Sequence, residues 1–123
     1  AGAMIASTRA IISGSVIARD GMIRQIRVLD GDEDAGLLTV RGGLGLVPFT
    51  VDVHATQAGM LPRLIHAVES GMVERGCAID ENTLIAVEGS QIRVIGLGHV
   101  YHVTREANAV RVTIHHAGDV IEV

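Results

Sequence analysis

The sequence predicts an α/β protein whose carboxyl-terminal third is rich in short antiparallel strands, and three stretches carry that prediction. The run Leu46-Val-Pro-Phe-Thr-Val-Asp-Val53 is apolar almost throughout, without the alternation of a half-solvated strand, as in a parallel sheet covered on both faces. Leu61, Leu64, Ile65, Val68, Met72 and Val73 then repeat at helical spacing behind Pro62, which suits a first helical turn. From Thr83 onward, short β-branched runs are separated by turn residues, with Glu88-Gly89-Ser90 reading as a hairpin.

The remaining elements follow in chain order. Residues 1–13 read as a helix of small and apolar residues closed by Gly14, with Ala3, Met4, Ala6 or Ser7, Ala10 and Ile11 on one stripe. Residues 15–36 alternate short apolar pieces with charge and end in the acidic run Asp30-Gly-Asp-Glu-Asp34. That run has carboxylates at alternate positions, but its glycine falls second where a calcium loop needs it sixth, and no glutamate closes it. A solvated acidic loop is expected there. The helix entered near Leu61 is expected to run to Gly76. Beyond it, the segments at 77–80, 83–87, 91–95, 100–103, 110–114 and 120–123 are expected to be short and mostly antiparallel strands.

Composition excludes several functions. All ten basic residues are Arg, against fourteen acids, for a net charge of −4, so no basic face is offered to nucleic acid or an anionic membrane. Phe49 and Tyr101 are the aromatic residues, too few for base stacking. A lone Cys77 forms no intrachain disulfide and is expected to be buried and inert. The apolar run at 44–51 is far shorter than the roughly 20 residues of a membrane-spanning helix. With no charged leader ahead of an apolar segment, the cytoplasm is the expected compartment.

Candidate chemistry centres on Asp52-Val53-His54. Where open α/β sheets bind ligands, polar groups follow a buried strand at its carboxyl end. Asp52 and His54 share a face if the strand extends that far, and a carboxylate orients an imidazole. A strand-end histidine has a structural role as readily as a chemical one. No Gly-x-Ser-x-Gly elbow supplies a nucleophile. His99 and His102 fall on opposite faces of a strand, as do His115 and His116, so no metal and no cofactor is expected.

Four segments, in order along residues 1 to about 104, together resemble the carboxyl-terminal half of the cyanophycinase and dipeptidase E family of serine peptidases. They are Ala1-Gly-Ala-Met-Ile-Ala-Ser7, Gly43-Leu-Gly-Leu-Val-Pro48 leading to Asp52-Val-His54, Ala78-Ile-Asp-Glu-Asn-Thr-Leu-Ile85 with Glu88-Gly89, and Val94-Ile-Gly-Leu-Gly-His-Val-Tyr101. The resemblance implies a three-layer, doubly wound, mostly parallel sheet of the class I glutamine amidotransferase type, of which residues 1–123 form the carboxyl-terminal half. It implies a nucleophilic serine just before residue 1, on an upstream half that is either a second chain or a missing segment. His54 maps onto the general base, the backbone N–H of Ala1 onto an oxyanion-hole donor, and Asp52 and Arg63 onto the substrate-binding side. Cyanophycin-cleaving members carry several arginines where this chain reads Ala58-Gly-Met-Leu-Pro-Arg63, which implies a smaller or more apolar peptide-like substrate. Arg63 has the alternative of an exposed first-turn helix residue.

The expected function is thus amide-bond hydrolysis by a serine-type peptidase that needs its upstream half. The alternative is a non-catalytic binding or assembly module on the same scaffold. Either way a homo- or hetero-oligomer is expected, since half a domain leaves a strand edge and apolar faces uncovered. An independent small ligand-binding domain is a third reading, which requires Ala1 to be the true start of the protein.

Overall fold

A computed structural model describes residues 2–14, 16–19, 22–25 and 37–123, with the backbone alone at 16–19 and 22–25. The acidic run at 30–34 and Ala1 lie outside the described residues.

The amino-terminal helix is much shorter than expected. α1 spans Gly2–Ile5, and the chain then straightens into β1, Arg9–Ser13. Thr8, Ile11 and Ile12 are β-branched, which disfavours continuing the helix, and pairing with a neighbouring strand offers them a better place. Two further strands, β2 (Val16–Arg19) and β3 (Met22–Gln25), form an antiparallel pair. β4, Thr39–Gly42, pairs antiparallel with β1.

The Gly-Leu-Gly-Leu stretch is not a strand. Its backbone N–H groups serve the carbonyls that α1 leaves open at its end. Leu44 donates to Ile5, Leu46 and Val47 to Ala6, Gly45 to Ser7, and Gly43 to Thr8. Gly43 is required there, since a Cβ would lie 2.0 Å from the Ser7 carbonyl oxygen. The buried strand is accordingly only β5, Thr50–Val53.

β5 runs parallel to β6, Arg75–Ile79, and the helix α2, Leu61–Glu69, connects them. α2 ends earlier than periodicity suggests, because Gly71 with φ +76° turns the chain after the Ser70 cap. β6 then pairs antiparallel with β9 (Val100–Arg105), and β9 with β10 (Val110–His115), giving the order β10-β9-β6-β5. β7 (Thr83–Glu88), β8 (Gln91–Gly96) and β11 (Val120–Glu122) form a separate antiparallel sheet, order β11-β8-β7. The β7–β8 turn is Gly89-Ser90, with Gly89 at φ +61°, as the sequence predicts.

The doubly wound parallel fold is therefore incorrect: the described strands form antiparallel and mixed sheets, with a single parallel pair. Both faces of the mixed sheet are covered, but by different partners. Ala78, Tyr101 and Val103 pack with Leu64, Ala67 and Val68 of α2 and with Ile11 of β1. Cys77, Ile79 and Val100 pack on the other face with Ile92, Val94 and Ile121 of the second sheet. A doubly wound protein would place a helix on that second face; here the β7–β8 hairpin, joined by β11, lies there as a second sheet instead.

No helix of the described residues is long and apolar enough to cross a membrane.

Candidate functional site

The carboxyl ends of the parallel pair β5 and β6 are stitched together rung by rung. Ala55 N–H donates to the Ile79 carbonyl at 3.2 Å, Thr56 donates to Asp80 from both N–H (3.1 Å) and hydroxyl (2.7 Å), and Glu81 N–H donates to the Gln57 side chain at 3.0 Å. His54 and Glu81 are thereby held opposite one another, with His54 Nδ1 3.1 Å from Glu81 Oε1.

His54 adopts φ +53°, a left-handed conformation uncommon for a residue with a Cβ. The turn is fixed on both sides, since its carbonyl accepts from Ala58 N–H at 3.1 Å while Ala55 is tied to Ile79. The imidazole is half-exposed. With a carboxylate at Nδ1, the Nδ1–H tautomer is favoured, and Nε2 is left as the proton acceptor.

Asp80 is the buried anchor of this end of the sheet. Besides Thr56, its carboxylate accepts from His99 N–H at 3.1 Å, and His99 Nδ1 lies 3.4 Å away. Burial pushes the Asp80 carboxyl up, but the hydrogen bonds from Thr56 and His99 outweigh it and hold the group below its ordinary value. The neighbouring Tyr101 phenol is pushed up by burial and by the Asp80 charge.

Beside His54 opens a cavity of about 390 Å³, walled by apolar residues of β5, β7, α1 and the turn after α1, including Val51, Val53, Ile85, Val87, Ala3 and Ala6.

The sequence pairs His54 with Asp52, and here the structure differs. Asp52 is fully buried and forms a two-pronged ion pair with Arg63, Nε to Oδ2 at 2.7 Å and Nη2 to Oδ1 at 2.7 Å. Arg63 is 1% exposed, so it is neither a free first-turn cation nor a surface contact for substrate. Both residues brace β5 against α2 below the site rather than lining its mouth. The partner of His54 is Glu81, 27 positions away, which sequence reasoning did not single out. The cue was present in Asp80-Glu81-Asn82, polar residues directly following a buried strand, as His54 does.

Ala1, expected as an oxyanion donor, lies outside the described residues. Among the described hydroxyls and thiols, none is placed as a nucleophile for His54. Ser7 is buried and its Oγ accepts from Val51 N–H at 2.8 Å, covering the open edge of β5. Cys77 is fully buried, and burial pushes its thiol up to about 12 despite the charge of Arg75. No group of His, Cys, Asp and Glu suited to a metal ion occurs among the described residues.

Compared with models of known protein families and with curated proteins, the chain matches none.

Proposed function

We propose that this chain carries the general-base half of a serine-type amide hydrolase. The observation that supports it is the His54–Glu81 pair: a half-exposed imidazole, oriented through Nδ1 and set at the rim of an apolar cavity. Glu81 fixes the tautomer and stabilises the imidazolium as it forms. His54 Nε2 takes the proton of a serine hydroxyl as its oxygen attacks the substrate carbonyl, and returns that proton to the departing amine. Water then attacks the acyl-serine ester, and His54 repeats the proton transfer to free the acid and the serine.

The serine comes from an upstream segment or companion chain that approaches the start of α1, where Ala3 and Ala6 already face the same cavity. By the resemblance, the Ala1 backbone N–H is assigned as one oxyanion donor. The motif resemblance to cyanophycinase and dipeptidase E peptidases supports the same assignment. The substrate is peptide-like, and the working unit is an oligomer or a pair of chains in the cytoplasm.

The test uses the purified protein with every polypeptide that accompanies it, identified by intact mass under denaturing and native conditions. Labelling by a fluorophosphonate probe and hydrolysis of acyl-amino-acid anilides are expected. His54→Gln should lower both at least a hundredfold, in line with general-base contributions of roughly 10²–10⁴. Unchanged labelling of His54→Gln would remove the base assignment.

A second reading, a non-catalytic assembly module, is favoured by apolar side chains left open to water: Leu97 is 89% exposed and Leu46 72%. It predicts association that is unaffected by His54→Gln.

A further inference from the structure

The cavity beside His54 has a composition that selects what enters it. We infer that it binds an uncharged, apolar side chain of the ligand whose carbonyl is presented to His54, so the inference rests on the hydrolase reading for the role of that ligand.

Three observations carry this. The walls come from separate elements, with Val51 and Val53 from β5, Ile85 and Val87 from β7, Ala3 from α1 and Ala6 from the turn after it. The space is therefore built by the tertiary fold rather than by one loop. Its volume of about 390 Å³ falls within the roughly 300–1,000 Å³ of small-molecule sites, and the two alanines keep it open on the α1 side. Apart from His54 Nε2 at its rim, the polar side chains along it are already engaged. Asp80 accepts from Thr56 and His99, while Thr83 Oγ1 donates to the Glu81 carbonyl at 3.1 Å and accepts from Gly98 N–H at 2.9 Å.

A ligand carboxylate entering the cavity would lose its water, find no arginine among the lining residues, and meet the Asp80 charge. An ammonium would be attracted by the Asp80 charge but would lose its water and share a carboxylate that already accepts from Thr56 and His99. An aliphatic or aromatic group loses only unfavourable hydration, and burial of a leucine-sized side chain corresponds to roughly a tenfold to hundredfold gain in affinity.

The test is a titration of the purified protein, with every polypeptide that accompanies it, with N-acetyl-leucine amide, N-acetyl-aspartate amide and N-acetyl-glycine amide, followed by methyl NMR. The leucine probe should bind at least tenfold more tightly than the other two and shift the methyls of Val51, Val53 and Ile85. Ala6→Leu, which fills the cavity, should weaken that binding at least tenfold. Val87→Arg, at a position 37% exposed and tolerant of charge, should do the same without burdening the core. Equal binding of the leucine and aspartate probes, or no movement of the β5 and β7 methyls, overturns the inference. So does a change in sedimentation coefficient on Ala6→Leu or Val87→Arg with probe binding unaltered, which would assign the surface to a second copy of the chain. None of these readings involves turnover, so failure of the general-base assignment would leave this result standing, and the reverse holds too.

Discussion

Removing Arg63 should be among the most costly single substitutions in this chain. Arg63→Met keeps the length of the side chain and its packing within α2, but leaves the Asp52 carboxylate buried without its two charged donors. Removing one partner of a buried pair typically costs about 3–5 kcal/mol, a large share of the roughly 5–15 kcal/mol that holds a domain together. With a urea slope of about 2 kcal/mol per molar, the midpoint should fall by roughly 1.5–2.5 M. The double variant Asp52→Leu/Arg63→Met should recover most of that loss, because two apolar side chains carry no desolvated charge. The recovery is incomplete. Val53 N–H donates to Asp52 Oδ1 at 2.9 Å, and a leucine leaves that group unpartnered at about 1 kcal/mol. Equilibrium urea unfolding of wild type, both single variants and the double variant, followed by circular dichroism, closes the cycle. An Arg63→Met variant within about 1 kcal/mol of wild type, or a double variant as unstable as the two singles summed, would refute the claim that the pair is a buried, mutually dependent unit.

Four further outcomes are expected. Asp80→Asn should lose stability at neutral pH: the folded carboxyl lies below its unfolded value, so its contribution is present above about pH 4 and disappears as pH falls through the folded value. The gap between wild type and Asp80→Asn in urea midpoint should therefore narrow from pH 7 to pH 3, and a constant gap contradicts this. Gly98→Ala should cost about 1–3 kcal/mol in the same assay, since the new Cβ would lie 2.6 Å from Asp80 Cβ and 2.7 Å from Thr83 Oγ1. Native Cys77 should resist a thiol reagent until the protein unfolds, with the labelling rate following denaturant; rapid native labelling counts against its burial. In Glu81→Ala, ring ¹⁵N shifts should report a lower population of the Nδ1–H tautomer of His54, and an unchanged population excludes Glu81 as the orienting group.

Local signals in the sequence locate α2, β5 and the Gly89 hairpin, because Pro62, the apolar run and the turn glycine each act within a few residues. The fold class fails at longer range. Periodicity shows that β5 and β6 are buried but not that β9 will pair antiparallel beside β6, since strand order depends on packing of segments distant in the chain. Residues 1–13 mislead because Ala and Ile suit a buried helix and a buried strand alike. The placement of His54 at a strand end was legible; its partner was not. Asp52 is close in sequence, yet β5 ends at Val53 and the left-handed turn at His54 breaks the alternation, so His54 faces the cavity while Asp52 points to Arg63 of α2. Glu81 reaches His54 only through the parallel register of β5 with β6.

The left-handed backbone at His54 has an evolutionary corollary. Glycine, and to a lesser degree asparagine, occupies that region with little strain, whereas an ordinary side chain there is held at a cost of roughly 1–3 kcal/mol. A library randomised at position 54 and sorted for thermal resistance alone should drift toward glycine or asparagine, because either relaxes the turn. A library sorted for hydrolysis should keep histidine and accept the lower melting temperature. Divergence of the two pools at this one position would mark it as a place where robustness has been exchanged for reactivity.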